Sequence, residues 1–292
     1  MTTMTKQYVA MGCSTVHDYS FLLPISCLAW RERIGFEPVV FLVGDEDEWS
    51  QDDRGKMPCL IALLGHQFRV EFVPHMEGVE DATISQSVRL HAAALPDLEP
   101  DALLTPCDAD LIPLRRSFYV DNFREPITSL YANGYPGEDA THLPTCHIQA
   151  RVKTWRAFMG LNGQGIPAAL KASFEAAGLA AKMEQRKADP KKNWGWVWFL
   201  DEHHLSNRIL SSGLAVHRVN REGHPPVDRL DRSCWPETYD PSKYTDCHSI
   251  RPGWTPANWP RLRPLLAWAL PHHLPWLDAY QKEFHRSMKC DG

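Results

Sequence analysis

Apolar positions along the first 110 residues fall into short continuous runs separated by amphipathic stretches. Residues 7–13 (QYVAMGC) read as a buried strand that ends in small polar residues. Residues 19–34 (YSFLLPISCLAWRERI) carry a helical pattern, with Asp18 as a candidate N-cap. Pro24 predicts a kink, or a helix that starts there. A second buried strand spans 38–44 (PVVFLVG), a helix over 54–65 ends at a candidate C-cap, Gly65, and 68–73 (FRVEFV) alternates as a strand. In ATISQSVRLHAAAL, 82–95, Ile84, Val88 and Leu95 share one helical face, and Pro96 ends the pattern. A fourth strand, 102–107, runs into Asp108. Strand and helix thus alternate four times, which predicts an α/β fold: a mostly parallel central sheet flanked by helices.

Beyond residue 115 the pattern loosens. Strands are expected at 126–132 and 143–150, and helices at 151–159 and near 166–187. An aromatic run at 194–198 passes into a helix near 210, and the Pro- and Trp-rich C-terminal part reads as loops with one helix near 261–269. No repeat and no clean linker is visible. The expectation is a single domain over 1–292, with a ligand-binding half (1–115) and an acceptor half (116–292) carrying a loop-rich elaboration.

Composition changes this picture little. Of 292 residues, 43% are apolar and 23% charged, ordinary for a globular chain. The formal net charge of −5 disfavours a strongly basic nucleic-acid binder, although RVKTWR (151–156) and RLRP (261–264) offer local basic edges. None of the eight cysteines forms a Cys-x-x-Cys pair, so zinc-ribbon spacing is absent. Several sit in apolar patterns and are read as reduced thiols of a cytoplasmic protein. No signal peptide or membrane span is expected.

The candidate chemistry starts at LLTPCDADLIPL, 103–114. Ligands of open α/β sheets sit off the C-terminal ends of strands, where Asp108 and Asp110 fall. Two carboxylates one residue apart can hold one hard divalent cation, Mn²⁺ or Mg²⁺, which would clamp a diphosphate. A solvated turn after a strand explains the same residues. In FLDEHHLSNRIL, 199–210, Asp201 and Glu202 are either a general base or a favourable helix start. His203 and His204 point about 100° apart on a helix and cannot chelate one ion together. His248 in YTDCHSIRPGW is a metal ligand or a structural histidine, and Arg251 a diphosphate fork or a surface charge. Arg89 reaches a diphosphate or a surface acid. Ser14 and Thr15 touch a nucleobase or cap the next segment. Trp196, within the period-two Trp194, Trp196, Trp198 cluster, is a stacking platform or core. His147 faces a sugar or acceptor, or is structural.

The order of these elements and the Asp-Ala-Asp motif resemble GT-A glycosyltransferases over residues 7 to 255. That resemblance implies a Rossmann-like fold and a nucleotide-diphosphate-sugar donor. It also implies a metal held by Asp110, with Asp108 toward the ribose or metal and His248 completing the shell. An inverting transfer then needs a carboxylate base, Asp201 or else Glu202. The Arg-Leu-x-Ala-Ala helix and the later His-x-x-Arg-Pro-Gly are similar to base J glucosyltransferase and its phage relatives, which implies a 5-hydroxymethyl pyrimidine in DNA as acceptor. A glycan or small-molecule acceptor is the alternative within the class. A haloacid-dehalogenase-like phosphatase also uses Asp-x-Asp, but on its first strand. A nucleotidyltransferase would bring a Gly-rich basic loop that GCSTVHDYS lacks. A binding protein on an inert transferase scaffold is the remaining alternative.

Overall fold

The computed structural model describes residues 6–14, 17–52, 54–134, 142–188 and 199–289. Its first half follows the sequence pattern closely. Strand β1 (Gln7–Cys13) is followed by α1 (His17–Ala29), β2 (Glu37–Val43), α2 (Glu46–Gln51), α3 (Lys56–Gly65) and β3 (Arg69–Val73). Then come α4 (Asp81–Val88), continued as a 3₁₀ turn over Arg89–Ala94, and β4 (Leu103–Cys107). These four strands are parallel, in the order β3-β2-β1-β4. Residues alternate across β1: Val9 and Met11 enter one core with α1 and α3, while Tyr8 and Ala10 enter a second core with α4. Burial on both faces is why these strands read as continuous apolar runs.

Local expectations were refined at three places. Helix α1 passes through Pro24 unbroken, with Ser20 to Ala29 all buried, and ends in a π turn at Trp30–Ile34 closed by Gly35 at φ 84°. Gly65 remains helical, and the left-handed residue after α3 is Gln67, at φ 57°. The helix expected near 166–187 is two helices, α7 (Ile166–Ala176) and α8 (Leu179–Ala188).

The second half supplies β5 (Leu111–Pro113), α5 (Arg116–Val120), β6 (Ile127–Ser129), β7 (Ile148–Arg151) and α6 (Val152–Met159). It continues with α9 (Leu200–Ser211), β8 (Val216–Arg218), β9 (Arg229–Asp231), β10 (Asp246–His248), α10 (Trp259–Ala269) and α11 (Leu274–Ser287). Strand β7 joins β4 antiparallel, and β6 and β8 complete a seven-stranded sheet in the order β3-β2-β1-β4-β7-β6-β8. The fold is therefore mixed α/β with a mostly parallel central sheet. A small second sheet, β5-β10-β9, stands beyond the C-terminal end of β4. Helix α11 was not foreseen. It packs Tyr280 and Phe284 on Phe21 of α1, with centroid distances of 5.3 and 5.1 Å.

One glycine fixes how α4 lies on the sheet. A Cβ on Gly12 would sit 1.9 Å from the backbone oxygen of Ser85. Backbone cannot yield as a side-chain tip can, so Gly12→Ala is expected to destabilise the protein by about 3 kcal/mol or more. Gly65→Ala, with nothing within 4 Å of the added atom, should be neutral or mildly stabilising. Urea unfolding of both variants checks the pair; equal midpoints would contradict the packing argument.

Candidate active site

A cleft of about 480 Å³ opens where the C-terminal ends of β1 and β4 meet the small sheet. Its walls come from six places, one of them Tyr19 of α1. Gly12 to Ser14 end β1, Ser85, Gln86 and Arg89 come from α4 and its extension, and Asp108 to Asp110 follow β4. Asp201 and Glu202 open α9, and Arg232, His248 and Arg251 come from the small sheet and the turn after it. Residues more than 100 positions apart thus converge at the place where an open α/β sheet keeps its ligand.

Local hydrogen bonds set the Asp108-Ala109-Asp110 turn. The amide of Leu111 donates to the Asp108 carbonyl at 3.2 Å, and the Ser249 amide donates to the Asp110 carbonyl at 2.9 Å. The Ser26 hydroxyl donates to the Ala109 carbonyl at 2.8 Å. The small sheet then brings His248 to Asp110. Leu111 pairs with His248 in the antiparallel β5–β10 ladder, and Asp231 is the neighbour of His248 in the parallel β9–β10 ladder. His248 Nε2 lies 3.5 Å from Asp110 Oδ2, and its Nδ1 lies 3.2 Å from Asp231 Oδ2.

Charges alternate through the cleft. Arg89 bridges two acids: it pairs with Asp108, and its other terminal nitrogen donates to Asp201 at 2.8 Å. Arg232 Nη1 donates to Asp110 Oδ2 at 2.5 Å. Arg251 Nε lies 3.4 Å from the same oxygen, and its guanidinium covers the Tyr19 ring at 4.5 Å. Burial alone would raise both Asp108 and Asp110, but Arg89 outweighs it at Asp108 and His248 at Asp110, so both carboxyls stay below the usual range. Burial works against a charged His248, yet Asp110 and Asp231 raise the ring to about 9. Asp201 differs. Burial, only partly offset by Arg89 and reinforced by Glu202, raises it to about 6.

Of the residues singled out in the sequence, Ser14, Arg89, Asp108, Asp110, Asp201, Glu202, His248 and Arg251 all line this cleft. Thr15 and Trp196 lie outside the described residues. His147 does not line the cleft. It is fully buried, 3.3 Å from Asp246 and 2.8 Å from the Arg229 guanidinium, and burial pushes it down to about 4. With no exposed surface it has nothing to offer an acceptor; it is a core histidine. Neither basic run stands free. Arg151 pairs with Glu125, Lys153 with Asp101 and Arg263 with Asp278, while Arg156 donates to backbone carbonyls of Ala93 and Leu95. Two cleft residues had no signal in the sequence, Tyr19 and Arg232. Arg232 follows a three-residue strand too short to show a period.

Among the described residues, no three His, Cys, Asp or Glu side chains stand together as ligands of one ion. The donor set nevertheless suits a hard divalent cation. Asp110 and His248 face each other, Asp108 stands two positions earlier on the same turn, and Asp231 holds the far nitrogen of the ring as a partner of a ligating histidine does; the ring would give up its proton to take an ion.

Fold and cleft together define an α/β protein with a cleft of alternating charge beyond its parallel strands. No protein-family model matches the chain, and no curated protein matches it. Solved structures do. The bifunctional glycosyltransferase WbbM matches at 11% identity over 97% of this chain and 52% of its own, with a TM-score of 0.48. The galactosyltransferase LgtC, solved with donor and acceptor sugar analogues, matches at 10% identity over 96% of both chains, with a TM-score of 0.46. The glycosyltransferase GlyE of Streptococcus pneumoniae TIGR4 matches at 10% identity over 74% of this chain and 45% of its own, with a TM-score of 0.39. The chain spans about half the length of GlyE and WbbM. Likeness at this level decides nothing about the chemistry, which rests on the side chains of the cleft. No described helix is long and apolar enough to cross a membrane.

Proposed function

We propose that this protein is a glycosyltransferase that takes a sugar from a nucleotide-diphosphate donor and passes it to an acceptor hydroxyl. One observation carries the proposal: His248, held by Asp231, faces Asp110 in a cleft that Asp108, Asp201 and Glu202 also line. Asp110 and His248 suit a diphosphate with its cation, and Asp201 or Glu202 suits a hydroxyl that must lose a proton.

Asp108, Asp110 and His248 are the residues that would hold Mn²⁺ or Mg²⁺. When bound there, such an ion supplies positive charge to the diphosphate and its leaving nucleotide. Arg89 keeps Asp108 and Asp201 ionised and fixed in place through its two contacts. Ser14, at the end of β1, faces the nucleoside side of the cleft. Asp201, raised to about 6, is a base matched to neutral pH and takes the acceptor proton as the hydroxyl attacks. Glu202, 3.1 Å from His142, orients the acceptor.

The test begins with nucleotide sugars. Thermal shift and donor hydrolysis are measured over a panel of them, with and without Mn²⁺. A metal-dependent response to one donor supports the proposal; silence toward every donor overturns it. Acceptors are then compared with that donor: duplex DNA carrying 5-hydroxymethyl pyrimidines, oligosaccharides and small alcohols. Asp201→Asn should lower turnover by about 100-fold or more while donor binding changes little. Glu202→Gln should retain most turnover. The wild-type rate should rise with pH to a plateau above about 6, because the base must be ionised. Loss of turnover in Glu202→Gln alone would move the base to Glu202.

A further inference from the structure

We infer that Arg232 and Arg251, rather than Arg89, grip the diphosphate of the donor, and that Arg232 rests on Asp110 when no nucleotide is bound. This inference depends on the glycosyltransferase reading above.

The three cleft arginines differ in how many donors they have left. Arg89 is spent. Its Nε donates to the Gln86 carbonyl at 3.0 Å, and its two terminal nitrogens go to Asp108 and Asp201. It is also buried, at 6% exposure, so it cannot turn toward a ligand without abandoning the buried Asp201 and the half-buried Asp108. Arg232 is the opposite case. Its side chain is 30% exposed, it lines the cleft, and among the described residues its partner is Asp110 alone, through Nη1. A guanidinium carries five N–H donors, so most of this fork is unused. Arg251 is intermediate. It makes an ion pair with Asp110 at 3.4 Å, has its guanidinium over the Tyr19 ring at 4.5 Å, and lines the cleft.

Asp110 Oδ2 therefore has Arg232, Arg251 and His248 around it. Asp231 shares the charge of His248, but the same Asp110 oxygen serves both arginines, and two planar forks that meet there match the oxygens of a diphosphate. Arg232 is also mounted where it can serve this role. It follows Asp231, whose carboxylate accepts from the amide and hydroxyl of Ser233 and steadies His248. The turn that aims the histidine carries the arginine.

The experiment titrates UDP, GDP, ADP, CDP and TDP, each with Mn²⁺, into wild type by calorimetry. The tightest of them and its monophosphate are then measured on Arg232→Ala, Arg232→Lys and Arg251→Ala. Each alanine variant should lose about 10- to 100-fold in diphosphate affinity, with monophosphate affinity within about threefold of wild type. Arg232→Lys should recover part of the loss, because it restores the charge without the fork. Mn²⁺ alone, followed by the electron paramagnetic resonance of the free ion, should bind Arg232→Ala as tightly as wild type or more tightly, since a competitor for Asp110 is gone. A merely structural Arg232 would weaken Mn²⁺ and both nucleotides together, and that result overturns the inference. So does a diphosphate affinity within threefold of wild type in folded alanine variants. Failure of wild type to bind any diphosphate would instead remove the glycosyltransferase reading, and the inference with it.

Discussion

Asp110→Asn should reduce metal-dependent nucleotide binding by about 100-fold or more, the largest functional loss expected from a single atom exchange in this protein. The carboxylate is nearly inaccessible, at 1% exposure, yet Arg232, Arg251 and His248 all depend on its charge. An amide of the same shape keeps an acceptor oxygen but removes the charge from beneath three cations, which then repel one another and any incoming metal ion. Two readouts separate this from simple unfolding. Calorimetric titration with Mn²⁺ and a nucleoside diphosphate reports the lost binding. The His248 ring, held near 9 chiefly by Asp110 against the effect of burial, should titrate at lower pH in the variant, as NMR of the ring protons would show. Binding within threefold of wild type would remove Asp110 from the site.

Asp246→Ala should be the most damaging change to stability, at about 3–5 kcal/mol. Asp246 is fully buried on β10 beside Arg221 and Arg229, and His147 lies against it. Removing it leaves Arg229 in the interior without a counter-charge and Arg221 with Asp228 alone. Burial would raise this carboxyl, but Arg229 and Arg221 outweigh it and hold it well below its ordinary value. The sign with pH follows. Stability from Asp246 is complete above the unfolded carboxyl value of about 3.9, declines as pH falls below it, and is gone only below the folded value. His147 acts in the same direction, because burial lowers it to about 4 and the unfolded chain takes up that proton first. Chemical denaturation at pH 7, pH 4 and pH 2 should show a gap between variant and wild type that is nearly unchanged at pH 4 and smaller at pH 2. A variant as stable as wild type at pH 7 would refute the account of this network.

How much of this was legible in the sequence varies along the chain. The four parallel strands and their helices could be read because each strand is buried on both faces and each apolar run is long enough to stand out. Strand β7 could not be given a direction, since antiparallel insertion beside β4 leaves no mark on hydrophobic spacing. The strands of the small sheet have three residues each, too few for a period, so the ladder that joins Asp110 to His248 was invisible although both residues were noticed. Arg232 was missed for a related reason: its partner is 122 positions away. Helix α11 did carry a signal. Leu277, Tyr280, Gln281 and Phe284 have helical spacing and are all buried, but the prolines and tryptophans around them suggested loops. His147 shows the limit of reading a strand end from sequence: sugar contact and structural role stood equally open, and the ring lies fully buried against Asp246 and Arg229.

The packing of α11 on α1 has a consequence for synthesis. The Tyr280 hydroxyl donates to the Ser20 carbonyl across 260 positions, and Phe21 lies between Tyr280, Phe284 and Trp254. A ribosome adding about 5–20 residues per second takes roughly 13 to 52 s to cover that interval. For all of it the Phe21 side of α1 is without the aromatic cover it has at the end. The nascent chain thus carries an adhesive surface over that interval, and its yield in a cell should depend on how well that surface is shielded until α11 emerges.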